Sequence, residues 1–446
     1  MSGLTAAARR RAVVVGLDGV PASYLEERVA AGAMPVFAEL LGQGRLVPMN
    51  SSVPPVSSVA WACLSTGVNP GRHGIYGFTE LRPGTYDLRF PNATSLLVPR
   101  IWERLADDGL RSVVLNLPGT YPARAPAGSV LVSGFVSPRL DRSVSPASWL
   151  DWLEELDYRT DVEAELDWEQ PQAVGVELLG LIEMRRRLWW RAWDEVDWDL
   201  FWGTFTETDR LHHYHWGRRE EPWVEAVLDR LYRALDDHLG DVAGRLSDDD
   251  ALFVVSDHGF APIRAEVHLN HWLAEAGFLH FEVDEPRSLT DVGPGTVAIA
   301  LDPGRIYAHR RGRYPLGEVG PRDEARVLAE VAFAVAELSA PETGEPALGP
   351  VLSARDAFSG PALADAPDLT VLPGAGFDPK GTVGAGTVFG HSQLTGMHAF
   401  ESAVCYVRGS AVTERVSLED VGASVLAYLG GDPTGLDGHP VLHAGR

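Results

Sequence analysis

An aspartate and a histidine stand side by side in Val254-Val255-Ser256-Asp257-His258-Gly259-Phe260, directly behind an apolar run. Both side chains ligate divalent cations, and the exit of a buried strand is a poor place for two such groups unless something holds them. Near the start of the chain, Ala12 to Leu17 (AVVVGL) is another β-branched run, and Asp18-Gly19 follows where its carboxyl end would be. An open α/β sheet binds ligands at that edge, so Asp18 is placed like Asp257 and the two could share a metal; a turn-capping Asp18 is the competing reading. A further acid and imidazole pair lies in Thr206 to His215 (TETDRLHHYH), behind the strand pattern Asp199 to Phe205. If a helix starts near Thr208, Asp209 and His213 share one face a turn apart. His212 serves almost as well on geometry, and His215 does not.

A hydroxyl group for covalent chemistry comes from Ser51 to Trp61 (SSVPPVSSVAW). Pro54 and Pro55 deny regular structure up to Val56, and the pattern predicts a helix from about Ser58 to Ser65 that begins at a hydroxyl residue. A helix N-terminus favours negative charge, which suits an alkoxide nucleophile or a bound phosphoryl oxygen; a plain Ser N-cap is the bland alternative.

The elements that must hold these residues read as an α/β chain. Strand patterns at 12–17, 113–116, 199–205, 251–255 and 367–372 alternate with helical ones at 24–31, 34–41, 101–105, 226–246 and up to about Ala276. From about Pro138 to Trp198 strand patterns vanish and acidic residues and Trp become dense, which predicts a helical insertion acting as a lid. Within it Arg185-Arg186-Arg187 reads as a solvated helix face in preference to an anion site. A second variable region runs from about Phe281 to Pro350, with Arg305 and Arg313 as candidate substrate contacts.

With 446 residues and 45% hydrophobic content the chain can bury a large core. Its net charge of −24 repels nucleic-acid backbones and anionic membranes, so a phosphate-bearing substrate needs a local positive centre, and bound metal supplies one. Cys63 and Cys405 lie in apolar stretches without ligand spacing and read as reduced core residues. The six apolar or Gly residues after Arg9-Arg10-Arg11 are too few for a signal-peptide core, and no later stretch reaches spanning length. A cytoplasmic protein is expected.

The motifs GLDG (16–19), PPVSSVAW (54–61), STGVNPGRHGI (65–75) and SDHGF (256–260) together resemble the alkaline phosphatase superfamily, nearest its type I phosphodiesterase/nucleotide pyrophosphatase branch. The resemblance implies a three-layer α/β sandwich with a mostly parallel central sheet. The whole of 1–446 would then be one catalytic domain, carrying 138–198 as a helical lid and 281–350 as a second variable region. It also implies that the nucleophile is the hydroxyl residue nine before Thr66, which is Ser57, with Ser58 as fallback. Val59 and Ala60 stand where relatives often carry Pro and Asn. The family's Asp-then-His spacing selects His213, and His398 matches its last metal-binding histidine, with His391 as competitor. His268 and His271 are not expected to be ligands.

Two ligand sets follow: Asp18, Asp257 and His258 with the Ser57 oxygen, and Asp209, His213 and His398. They imply two divalent cations, zinc first and manganese as the alternative. The expected activity is cleavage of a phosphodiester or pyrophosphate bond through a Ser-linked intermediate, on a small phosphorylated substrate such as a nucleotide. A phosphomonoesterase or phosphomutase of the same superfamily is the first alternative, and a non-catalytic metal-stabilised binding protein the second. A monoesterase should carry an additional cation beside the nucleophile. Arg72, fifteen residues after Ser57, reads as structural.

Overall fold

In the computed structural model, which describes residues 9–163, 165–409 and 415–442, the apolar run Ala12–Leu17 is strand β1 and is buried throughout. The ends of the 1–446 span lie outside the described residues. Val13, Val15 and Leu17 point into one core and Ala12 and Val14 into another, because successive strand side chains face opposite ways. A strand covered on both faces needs no polar alternation, which is why it reads as a continuous apolar run.

Seven further strands share its sheet: β2 (Gly44–Met49), β3 (Ser112–Leu117), β4 (Val130–Ser133), β5 (Val144–Ser145), β6 (Leu200–Phe205), β7 (Ala251–Val255) and β8 (Ala403–Arg408). Their order is β2-β8-β7-β1-β6-β3-β4-β5. β7, β1, β6, β3 and β4 run parallel, whereas β8 and β5 run antiparallel to their neighbours. Five helices matter below: α1 (Ser57–Thr66), α2 (Pro171–Glu195), α3 (Glu207–His215), α4 (Pro222–Gly244) and α5 (Leu418–Tyr428). α2 and α4 cover one face of the sheet, and α1 and α5 cover the other. Leu178, Leu181 and Leu188 of α2 are each almost fully buried, contributing roughly 2 kcal/mol apiece. The architecture is the expected three-layer, alkaline-phosphatase-like sandwich on a mostly parallel sheet.

Several local expectations are corrected. α1 starts at Ser57, with Val56 in the capping position and no side-chain cap. The stretch 138–198 is not free of strand, since Val144–Ser145 pairs with β4 as an edge too short to carry a period. Its long helix α2 lies on the sheet itself, where Trp189 fits against Gly203; a Cβ there would sit 2.0 Å from the indole. Arg185 is not on a solvated face. It is buried, with Nε 3.1 Å from Glu207 and its guanidinium over the Tyr158 ring, because α2 turns that side toward α3.

A second, four-stranded antiparallel sheet orders Ala298–Leu301, Arg305–Ala308, Leu369–Pro373 and Leu348–Ser353. The helix Glu324–Ala336 packs on it, and Ile299, Ile306, Val331 and Val335 share a separate core. The late strand read near 367–372 belongs here and not to the main sheet. Cys63 and Cys405 are buried free thiols. Among the described residues no helix is long and apolar enough to cross a membrane.

Candidate metal centre

β7, β1 and β6 are neighbours and parallel, so their carboxyl ends emerge side by side. Asp257, Asp18 and the helix bearing Asp209 follow those ends. The turn after Asp18 needs Gly19: its φ is +66°, and a Cβ would come within 2.6 Å of the Phe260 ring. The Gly19 N–H donates to Asp257 Oδ1 at 3.0 Å, tying two strand ends together. Asp209 and His213 lie one turn apart on α3. His398 arrives from far along the chain on Gly396–Ala399, which pairs antiparallel with Gly259–Pro262 and sets His398 opposite Phe260. Ser57 sits in the first turn of α1, and its Oγ is spent on the centre: it lies 3.4 Å from Asp18 Oδ1 and 3.2 Å from His258 Nε2.

The six acid and imidazole side chains fall into two groups, Asp18 with Asp257 and His258, and Asp209 with His213 and His398. Within each, one potential ligand atom per residue lies within 4.8 Å of the others. All three imidazoles turn Nδ1 to a backbone carbonyl: His213 to Gly396 at 3.2 Å, His258 to Gly259 at 3.1 Å and His398 to Pro55 at 3.0 Å. A carbonyl only accepts, so Nδ1 carries the proton and the Nε2 lone pair faces the centre. The Nε2 atoms of His213 and His398 are then 2.9 Å apart, and Asp209 Oδ1 is 3.3 Å from His398 Nε2. Facing lone pairs and a carboxylate repel one another unless a cation lies among them. Asp209 Oδ1 and Asp257 Oδ2 are buried without a hydrogen-bond partner. The donors therefore fit divalent cations.

The electrostatics agree. Burial, with the neighbouring Asp209 carboxylate, pushes Asp257 up to about 7. Burial and the Asp257 and Asp209 carboxylates raise Asp18 as well. Burial opposes the charge of Asp209 too, but His213 and His398 outweigh it and hold that carboxyl below its usual range. Burial lowers His213 to about 3 and pushes His258 down, which keeps their lone pairs free.

The other sequence candidates lie elsewhere. His212 turns away, with Nδ1 at 2.9 Å from Gly19 O and Nε2 at 3.1 Å from the Tyr232 hydroxyl. His215 packs on Trp223, and His391 is exposed. Ser58 Oγ is buried but touches no group of the centre by hydrogen bond. His268 bonds Thr387 O and His271 pairs with Glu275. Arg72 pairs with Asp437, Arg305 donates to Asp302 O and Thr79 O, and Arg313 donates to Ala364 O. Two residues escaped sequence reasoning. Trp61 Nε1 donates to Asp18 Oδ2 at 3.0 Å; its spacing of four from Ser57 on one helix was the available signal. Arg210 places Nη1 3.5 Å from Asp209 Oδ2, and only its adjacency to Asp209 hinted at it.

Paired acid and imidazole clusters at the carboxyl edge of a parallel sheet, with a serine on the adjoining helix, define an alkaline-phosphatase-like hydrolase. The family can be stated more closely, because a sequence model described as type I phosphodiesterase / nucleotide pyrophosphatase matches residues 12–400, and the chain belongs to that family. It is thus a phosphohydrolase of the phosphodiesterase/nucleotide pyrophosphatase type. Among solved structures it is similar to phosphonoacetate hydrolase from Sinorhizobium meliloti 1021 in complex with phosphonoformate, at 16% identity and TM-score 0.59, covering 95% of this chain and 96% of that one. It is also similar to murine ectonucleotide pyrophosphatase / phosphodiesterase 5, at 14% identity and TM-score 0.56, covering 96% and 98%. The human form of that protein matches at 14% identity and TM-score 0.56, covering 96% and 97%. At these identities the likeness establishes the fold. No curated protein sequence matches the chain.

Proposed function

We propose that the protein cleaves a phosphodiester or pyrophosphate bond of a small phosphorylated substrate, such as a nucleotide, through an intermediate on Ser57. The observation that carries this reading is the Ser57 hydroxyl, free of any capping role and in reach of Asp18 and His258. Asp18, Asp257 and His258 would hold one divalent cation together with Ser57 Oγ, and Asp209, His213 and His398 the other. The mixed N and O donors favour zinc, with manganese second. Two such ions, when bound, lower the pKa of a coordinated hydroxyl and offset charge on the non-bridging phosphoryl oxygens.

Ser57 forms the Oγ–P bond as the bond from phosphorus to the leaving oxygen breaks, and the hydroxyl proton passes to solvent. The leaving alcohol or phosphate departs from the opposite side. Water then attacks phosphorus, the P–Oγ bond breaks and Ser57 regains its proton. The α1 N-terminus favours the negative charge that develops at Oγ. Trp61 orients Asp18, and the three Nδ1 contacts fix the imidazoles, so the centre needs little reorganisation. In this reading 1–446 works as one catalytic domain whose 138–198 lid and 281–350 region set the substrate. The two unpaired buried thiols suit a reducing compartment, and we assign the enzyme to the cytoplasm.

Hydrolysis of bis-p-nitrophenyl phosphate against p-nitrophenyl phosphate, with metal content measured on the same sample, tests the proposal. Faster diester cleavage with about two bound ions is expected. Preference for the monoester makes the enzyme a phosphatase, and bound metal without turnover of either ester sinks the hydrolytic reading.

A further inference from the structure

Arg210 follows Asp209 on α3, and its guanidinium is fixed at one end only. Nε and Nη2 donate to the two oxygens of Asp161 at 2.8 and 2.6 Å, a fork matched to a carboxylate. The Phe135 ring lies 4.7 Å from Cζ and holds the plane from one side. Nη1, by contrast, has no hydrogen bond among the described residues. It stands 3.5 Å from Asp209 Oδ2, and the side chain keeps 23% of its surface open. A cation is thus clamped from behind by a residue of the 138–198 segment, with both Nη1 N–H donors left over beside the metal centre.

We propose that Arg210 Nη1 is an anion subsite that takes a second charged group of the substrate, next to the phosphoryl group attacked by Ser57. A simple diester carries one negative charge, which two divalent cations already offset. A third fixed cation gains energy only when the substrate brings more charge. The substrate class is therefore a pyrophosphate, or another phosphoryl compound with an adjacent anion, in preference to an uncharged-armed diester. Asp161 serves as a positioning residue, because its fork decides where Nη1 points. Asp161 belongs to the 138–198 segment and Arg210 to the metal-bearing helix, so the subsite also joins that segment to the centre. This inference rests on the hydrolase reading above and narrows its substrate.

Binding, not turnover, tests it. In a Ser57→Ala background loaded with metal, titration calorimetry compares the α,β-methylene analogue of ATP, which carries several charges, with bis-p-nitrophenyl phosphate, which carries one. Arg210→Met, which keeps the packing on Phe135, should weaken the nucleotide by about 10- to 100-fold, the range for a lost hydrogen bond between charged groups. The diester should change by less than about threefold, within the context scatter of a neutral truncation, and metal content should stay the same. Equal weakening of both ligands, no binding of the nucleotide at all, or loss of one metal equivalent overturns the proposal; the last result would make Arg210 a support for Asp209. If Arg210→Met does not fold, Asp161→Asn should weaken only the nucleotide, and unchanged affinity for both ligands overturns it. Turnover of both chromogenic esters by the wild type without the binding contrast sinks the subsite alone. A binding contrast without turnover of any ester sinks the hydrolase reading alone.

Discussion

The two candidate ligand sets are built from different material. Asp18, Asp257 and His258 follow the ends of two adjacent core strands and have no solvent exposure. Asp209, His213 and His398 come from a helix and a strand of a small two-stranded sheet, and the two imidazoles keep 20% and 16% of their side-chain surface. The strand-end set crowds two carboxyls into the core, where burial raises both. The rim set holds a single carboxylate beside two imidazoles whose Nε2 lone pairs face the centre. A dication offsets two carboxylates in the first set and one in the second, so the strand-end site should hold its ion more tightly and the rim site should exchange first.

The largest effect should come from Ser57→Ala, which sits against the strand-end set. Turnover should fall by about a thousandfold or more, with both metal equivalents retained. If activity survives and Ser58→Ala removes it, the nucleophile is the neighbouring serine. Next, Asp257→Asn and His398→Ala should each cost one equivalent of metal by elemental analysis, from different sites. Loss of both ions in either variant would show one cooperative centre and end the distinction. On titration with a chelator the wild type should lose metal in two steps, the first removing activity and leaving Asp18, Asp257 and His258 loaded; a single step would contradict the ranking.

Smaller effects sharpen the contrast. Asp257 is raised to about 7 in the folded, metal-free protein. Between the ordinary carboxyl value and 7 the folded state binds a proton that the unfolded state has released. That stabilisation is complete below the unfolded pKa and is lost as pH rises through 7. The Tm of metal-free protein should therefore fall by several degrees from about pH 5 to pH 8, and zinc should remove the slope. A flat metal-free profile would refute the charge crowding. Asp209 is shifted the other way, so its contribution disappears only at acid pH and does not mask this window. Last, Trp61→Phe deletes the N–H that orients Asp18, and should weaken metal binding at the strand-end site by about 10-fold while leaving the rim site alone. Equal weakening at both sites would make Trp61 a packing residue.

The residues themselves announced the strands and most of the chemistry. β1 and β7 are apolar because both faces are covered, and a polar pair directly behind such a run has few uses other than a site. Asp18, Asp257, His258 and Asp209 could thus be singled out as types at spacings, whereas only the resemblance chose His213 over His212, and the order of motifs pointed to the family that matches residues 12–400. Local pattern stops at direction and partnership. Whether Ser57 caps α1 or faces Asp18 depends on where β1 ends in space. The turn of His212 toward Tyr232, while His213 faces His398, depends on α4 and on a strand remote in sequence. Arg185 and Arg210 look alike as arginines near acidic residues, yet one is sealed against Glu207 and the other keeps an open edge beside Asp209. Such choices are made by contacts across 20 to 185 residues, where burial sets the cost of every unpaired charge, and no spacing along the chain encodes them.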